Sequence, residues 1–316
     1  MFTPGIQLIN ESGHDFWLPA ELIRDVSEHS IGSLITLTNG QTRLTTSSVA
    51  AVNTAIDTLW DEYIESQRPS DYLLEQALGN YAGQSVRRKF GHNPAVSTSA
   101  EVISILSTAS YAGFLTAATT VRIKAGGDGN DTAAGSGAQA IVVEGLDDNF
   151  DVASEAIATA GASASSATTA SFRRVHRAYV TNVGTYHGSN VAAITIENSG
   201  GGTDLVQIGA AIGQTEIAVD TVPAGYTDYL SLLQVDADSS KAVTVSLYQC
   251  QDADDVSTPF TGKRLIIRLS GVTGHVECPF TKYVVLPEKT DVWAEGIVAA
   301  TSAEVTVGFS SIRIAN

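Results

Sequence analysis

Short alternating strands separated by turn residues dominate this chain from about residue 100 onward. Apolar and polar residues alternate at 120–124, 139–144, 243–247 and 264–268, which is typical of strands that bury one face. Glycine and proline interrupt these runs at short intervals, and the helices that a parallel βαβ sheet needs between its strands are missing from the pattern. The spacing predicts an antiparallel β-sandwich or jelly-roll region over residues 96–316, built as one elaborated jelly roll or as two sandwiches split near 185–190.

The first 68 residues predict a small β module with one helix, so the expected fold class is mainly β throughout. Short apolar runs precede Asn39-Gly40, a dipeptide that favours tight hairpins because both residues tolerate positive φ. A helix is predicted from about Val49, where apolar residues recur every three or four positions. Residues 69–95 are predicted to form a helical connector to the sandwich region. Four apolar residues of the first helix are expected to form its buried face: Val52, Ile56, Leu59 and Trp60.

The charge of the chain disfavours two classes of partner. It has 18 Lys and Arg against 34 Asp and Glu, which gives a formal net charge of −16. Such a chain repels phosphate backbones and anionic lipid, so we expect neither a nucleic-acid nor a membrane partner. Apolar runs stay shorter than the roughly 18 residues of a membrane helix. The first residues lack the basic and apolar regions of a signal peptide, and we therefore expect a soluble product made in a cytoplasm.

The sequence contains no recognisable catalytic motif. A nucleophile elbow, a phosphate-binding loop and paired-His or paired-Cys motifs are all missing, and the six His have no metal-ligand spacing. Aspartates cluster in predicted turns at 128–131, 147–151, 236–238 and 252–255. Aspartates in turns typically cap their own backbone, and calcium binding is the alternative. We expect no enzyme activity, no cofactor and no metal.

Two basic patches interrupt the acidic background. The first contains Arg87, Arg88 and Lys89, and the second contains Arg173, Arg174 and Arg177. Alternate residues of a strand share a face, so Arg173 and Arg177 are expected to point the same way. These patches indicate a docking surface for an acidic protein or a neighbouring subunit. The alternative is a solvated face or a set of internal ion pairs.

A set of short motifs carries a resemblance to known proteins. Residues 217–230 form a strand, a Pro223-Ala224-Gly225 turn and a second strand. Together with five other segments that occur in order along the chain, they resemble structural virion proteins of tailed bacteriophages over about residues 85–316. These segments are 90–94, 114–121, 131–138, 145–147 and 286–293. Residues 5–66 resemble small flagellar proteins of the FlbD type, through 6–8, 22–26 and 35–40 followed by a helix. The second resemblance implies a compact module of several strands and one helix, and neither resemblance implies catalytic residues.

The phage resemblance implies a capsid-associated structural protein: a decoration, cement or head-fibre protein located in the virion. The expected partners are the major capsid protein, other virion proteins, and further copies of this chain, with a trimer favoured. The N-terminal module and connector are expected to be the anchor. Two alternatives stay open: a tail, neck or receptor-binding component of the virion, and a carbohydrate-binding β-sandwich module.

Overall fold

The computed structural model describes residues 5–9, 15–19, 23–29, 32–37, 42–67, 72–106, 108, 110–259 and 261–316. Antiparallel strands predominate, which confirms the mainly β fold class. The chain forms two compact units, Met1–Leu74 and Glu75–Asn316. Within the described residues, no helix has both the length and the apolar character that a membrane crossing requires.

The described residues of the first unit form five short strands and a long helix: β1 (Gly5–Ile9), β2 (Asp15–Pro19), β3 (Ile23–His29), β4 (Gly32–Leu37), β5 (Thr42–Thr45) and α1 (Val49–Gln67). Strands β1 and β2 form a hairpin, and β3, β4 and β5 form a three-stranded sheet. Val52 is fully buried against Ile35 and Leu37, and Ile56 is half-buried beside them. The side chains of Leu59 and Trp60 lie outside the described part of the structure.

The predicted helical connector over 69–95 requires a correction. Helix α2 (Tyr72–Ala77) is short, and it is followed by the thirteen-residue strand β6 (Gln84–Val96). This strand pairs along most of its length with the last strand of the chain. It lies at the edge of its sheet, where Pro94 is tolerated because one side of the strand needs no ladder hydrogen bonds. The cations Arg87, Arg88 and Lys89 are therefore part of the sandwich region.

Fifteen further strands complete the second unit: β7 (Glu101–Val102), β8 (Thr119–Ile123), β9 (Ala138–Leu146), β10 (Val152–Ala158), β11 (Ser171–Phe172), β12 (Arg174–Val183), β13 (Ile194–Asn198), β14 (Asp204–Ile208), β15 (Val219–Thr221), β16 (Tyr226–Ala237), β17 (Val243–Cys250), β18 (Arg264–Val272), β19 (Gly274–Leu286), β20 (Asp291–Val298) and β21 (Ala303–Ala315). They build two sandwiches, one inserted into the other.

The host sandwich combines strands from both ends of the second unit. One sheet has the order β19-β16-β21-β6, and the other has the order β15-β20-β17-β18 with β7 paired to β20. Inward side chains of both sheets meet in one core, in which Leu233, Leu247 and Val307 have no solvent exposure. The alternating apolar positions of the sequence account for this core, because successive side chains of a strand point to opposite faces.

The inserted sandwich consists of β8–β14. Its sheets have the orders β10-β9-β12 and β11-β8-β13-β14, and its core contains Ile141, Phe172 and Ile196. The predicted split near 185–190 is corrected, because that segment joins β12 to β13 and so connects the two sheets of a single sandwich. The insertion instead leaves the host after β7 and returns at β15.

The two ends of the insertion lie side by side. The Ala218 amide donates to the Ile103 carbonyl at 2.9 Å, and the Ile103 amide donates to the Ala294 carbonyl at 3.0 Å. Gly91 of β6 faces this crossing, and a Cβ there would lie 2.2 Å from the Ala218 nitrogen and 2.4 Å from the Ile103 oxygen. Glycine at position 91 therefore permits β6 to pass directly beside the crossing.

Candidate functional site

Arg174 is buried at the junction of the two sandwiches. Its Nε donates to Asp291 Oδ1 at 2.9 Å and its Nη2 to Asp291 Oδ2 at 2.8 Å, while Nη1 donates to the carbonyls of Leu115 and Arg173. Only 3% of Arg174 is exposed. The bidentate pair joins β12 of the inserted sandwich to β20 of the host.

Arg173 is also buried, with its guanidinium 5.1 Å from the centre of the Phe150 ring and its Nη1 3.3 Å from Asp148 Oδ1. The docking interpretation of Arg173 and Arg174 is therefore corrected. Both cations serve internal contacts, which is the alternative that the sequence left open. Arg177, the third cation of this patch, is exposed.

A second buried ion pair lies in the host sandwich. Arg313 donates from Nε to Asp228 Oδ1 at 2.7 Å and from Nη2 to Asp228 Oδ2 at 2.9 Å. Its Nη2 also lies 3.6 Å from Asp220. Burial opposes the ionisation of Asp220, but His176 in its protonated form, together with the charges of Arg313 and Lys89, outweighs burial and lowers the Asp220 pKa to about 2. Asp220 is therefore a permanent anion at this junction.

His176 lies between Thr221 and Asp220 in an arrangement that resembles a catalytic triad. Its Nε2 lies 2.9 Å from Thr221 Oγ1, and its Nδ1 lies 3.5 Å from Asp220 Oδ1. Thr221 Oγ1, however, donates its single proton to Asp291 Oδ1 at 2.6 Å. His176 Nε2 must then be the donor toward Thr221. Burial lowers the pKa of His176 to about 3, so the ring is neutral and its Nδ1 carries no proton toward Asp220.

This hydrogen-bond pattern is the reverse of the one that activates a hydroxyl nucleophile. A general base needs an unprotonated Nε2 toward the hydroxyl and a protonated Nδ1 toward the carboxylate. Thr221 is also only 1% exposed, which leaves its hydroxyl no access to a substrate. The trio therefore ties β12 to β15 and has no arrangement for nucleophilic attack.

A cavity of about 500 Å³ opens beside these groups, and we call it the β6 cavity. One wall is residues 86–90 of β6, and the other is formed by β9, β10 and β12 of the inserted sandwich. It brings cations of both basic patches, Arg87, Lys89 and Arg177, around one space. The patches are about ninety residues apart in the sequence, and only the insertion of one sandwich into the other places them together.

The strand register divides the β6 cations between two faces. Arg87 pairs with Ser311 and Lys89 pairs with Phe309, whose side chains are buried in the host sandwich. Directly opposed residues of an antiparallel pair share a face, so Arg87 and Lys89 leave β6 on the face that borders the cavity, where Lys89 is half-buried and Arg87 is exposed. Arg88 also borders the cavity, but its side chain leaves β6 on the opposite face, where its Nη2 donates to Gln234 Oε1 at 3.4 Å.

Carboxylates of the predicted acidic turns accept hydrogen bonds from backbone amides. Asp131 is buried, and its carboxylate accepts from the amides of Ala138 at 2.8 Å and of Val191 and Ala192 at 2.9 Å. These bonds join the loop before β9 to the segment before β13. Across the described ranges, no group of three or more His, Cys, Asp or Glu side chains is arranged to hold a metal ion.

The sequence interpretation did not single out Asp220, Asp228, Asp291 or Arg313. A signal was available for Arg313, because it is a charged residue that lies between two isoleucines, Ile312 and Ile314, in the last strand. In a chain with few cations, such a residue indicates either an internal ion pair or a functional group.

No family model matches the chain, and no curated protein matches it. Among solved structures, it is similar to particles of infectious bursal disease virus. T=1 particles derived from that virus are 9% identical over 74% of this chain and 70% of theirs, with a TM-score of 0.22. The Gx strain is 10% identical over 74% and 73%, with a TM-score of 0.19, and the T13 particle is 10% identical over 73% and 73%, with a TM-score of 0.16. At TM-scores of this size, these likenesses carry no inference about this chain.

Proposed function

We propose that this chain is a non-enzymatic structural protein of a tailed-bacteriophage virion, associated with the capsid as a decoration, cement or head-fibre protein. The observation that supports this role is the locked junction between the two sandwiches. The bidentate Arg174–Asp291 pair and the backbone bonds at Ile103 and Ala218 join the inserted sandwich to the host. A protein that occupies repeated positions on a shell needs such a fixed shape, because every copy must present the same surface.

One motif of the phage resemblance contributes to the same lock. Gly225 of the Pro223-Ala224-Gly225 turn has a φ of +75°, a conformation that glycine adopts without strain. The Ala224 amide donates to the carbonyl of Phe150 in the inserted sandwich at 3.0 Å. The Asn316 amide donates to the Gly225 carbonyl at 2.9 Å. The turn thus holds the last residue of the chain and the inserted sandwich at one place.

The proposed absence of catalysis rests on how the buried polar groups are used. His176 donates to Thr221, and the Thr221 hydroxyl is committed to Asp291. A screen of glycan, ester and peptide substrates should show no turnover. Reproducible turnover that disappears in His176→Gln would overturn the non-enzymatic part of the proposal.

Self-association is supported by the free edges of the host sandwich. Strand β19 lies at one edge of the first sheet and β18 at one edge of the second, and they leave Leu265, Tyr283 and Val285 about half exposed. Unpaired strand edges with apolar side chains favour pairing with another chain. We propose a homo-oligomer and favour a trimer. Light scattering at micromolar concentration should give a mass of three chains. A monomer at tens of micromolar would contradict this assembly.

The location is tested on purified virions. Mass spectrometry should detect this chain, and electron microscopy should show it at ordered, repeated positions on the shell. Absence from the particle would overturn the virion role. Density confined to the tail or neck would favour the alternative of a tail or receptor-binding component.

The anchor is tested by truncation. We propose that the first unit, Met1–Leu74, attaches the protein to the particle, so residues 75–316 should fold but fail to join virions. The cut must precede Gln84, because removal of β6 would strip a strand from the host sandwich. If residues 75–316 join particles as well as the full chain does, the anchor lies in the sandwich region.

A further inference from the structure

The β6 cavity carries more positive charge than its own anions compensate. Among the described residues, no carboxylate lies within ion-pair distance of the Arg87 guanidinium. Lys89 donates to the backbone carbonyl of His176, which is a neutral acceptor. Arg177 lies 3.8 Å from Glu144 at a long ion-pair distance, and stacks over the Tyr179 ring at 4.5 Å.

The nearby carboxylates are already engaged. Asp220 contacts Arg313 at 3.6 Å and His176 at 3.5 Å. Glu144 accepts from the Tyr179 hydroxyl at 3.2 Å and faces Arg177 with its other oxygen. In a chain with a net charge of −16, a cavity with surplus cations is a local exception. Lys89 is partly buried and has no anion of the described residues in contact, which is costly, and an oxyanion from outside would relieve this cost while also reaching the exposed Arg87 and Arg177.

The size and walls of the cavity indicate an organic ligand. A volume of about 500 Å³ lies within the usual range of small-molecule sites. Apolar side chains of Val86, Leu146 and Val152 share the lining with the cations. A bare inorganic ion would leave these side chains without a partner.

We propose that the β6 cavity binds an organic anion with two or more carboxylate groups, either a free polycarboxylate or an acidic chain segment. Two groups are needed because the cations lie on two walls: Arg87 and Lys89 on β6, and Arg177 on β12. Guanidinium groups match the planar carboxylate with two parallel hydrogen bonds. This proposal does not depend on the virion role.

The test is calorimetric titration of the full chain at pH 7 and low ionic strength, with citrate and a hexaglutamate peptide as probes. Saturable binding is expected for at least one probe. Arg87→Ser and Lys89→Met should each weaken it about tenfold, as expected for the loss of a charge-assisted hydrogen bond. Arg264→Ser is the matched control, because Arg264 is an exposed cation of β18 outside the cavity lining, and this variant should bind as the native chain does.

The two probes distinguish the sources of the carboxylates. Tighter binding of citrate indicates a free polycarboxylate, and tighter binding of hexaglutamate indicates an acidic chain segment. The proposal is overturned if neither probe binds, or if Arg87→Ser, Lys89→Met and Arg264→Ser all change the affinity equally.

The pH dependence of probe binding distinguishes direct binding by Lys89 from a purely structural role of Lys89. Burial lowers the pKa of Lys89 to about 8; the charges of Asp220 and Glu144 raise it, and those of Arg87 and Arg177 lower it. Lys89 therefore loses its charge between pH 7 and 9, and binding should weaken over that range. Lys89→Met should show no such change. Lys89→Arg should retain binding at pH 9, because guanidinium stays charged there, and equal loss of binding in Lys89→Arg would contradict the proposal.

Discussion

Replacing Asp291 with Asn should destabilise the second unit by about 3–5 kcal/mol, the usual cost of removing one partner from a buried ion pair. Both Asp291 oxygens are in use: Oδ1 accepts from Arg174 and Thr221, and Oδ2 accepts from Arg174. The variant leaves the Arg174 charge uncompensated at a position with 3% exposure. A loss of this size is a large fraction of the roughly 5–15 kcal/mol that stabilises a typical domain.

The assay is equilibrium unfolding in urea, followed by the fluorescence of Trp293. This side chain is buried in the inserted sandwich core and stacks with Tyr248, so its emission reports the second unit. The other two tryptophans are replaced with Phe in every sample. Lys289→Met is the control, because it breaks the partly exposed pair with Asp254 and should cost at most about 1 kcal/mol. An Asp291→Asn loss as small as that of the control would refute the reasoning.

Three further outcomes are expected. Burial lowers the pKa of His176 from 6.5 to about 3, so the contribution of His176 to the free energy of unfolding is complete above pH 6.5 and falls by about 1.4 kcal/mol per pH unit as the pH decreases toward 3. In urea unfolding, the native chain should lose about 2 kcal/mol more stability between pH 7 and pH 5 than His176→Gln loses. Gly91→Ala should cost about 1–3 kcal/mol or more through the backbone clash, whereas Gly129→Ala, whose Cβ meets nothing within 4 Å, should change thermal stability little. Val52→Ala should lower the free energy of unfolding of the first unit by about 2 kcal/mol, measured from the thermal unfolding of residues 1–74 within the full chain. Equal melting temperatures of the first unit in the variant and in the native chain would contradict the burial of Val52.

The alternation of apolar residues was sufficient to predict the strands that bury one face. Val243, Val245 and Leu247 alternate in the sequence and are all fully buried in β17. Val121 and Ile123 do the same in β8. This prediction succeeds because the two-residue period of a strand is a local property of the backbone, independent of where the partner strand comes from.

Strand β6 could not be recognised in this way. Arg87, Arg88 and Lys89 interrupt any alternation, and Pro94 argues against a central strand. Its strand conformation depends on β21, which lies more than two hundred residues later and supplies the hydrogen bonds on one side. The boundary between the two sandwiches was misplaced for the same reason, since pairing of β6 and β7 with later strands is what makes the middle of the chain an insertion.

The candidate site shows which features can be predicted from the sequence and which cannot. The sequence by itself determined the β class and the two groups of cations, because both follow from neighbouring residues. The tertiary structure decided that Arg174 is buried while Arg177 is exposed, although they belong to one patch. A buried charge is stable only where a partner arrives with matching geometry, and the partner of Arg174 is Asp291, 117 residues away.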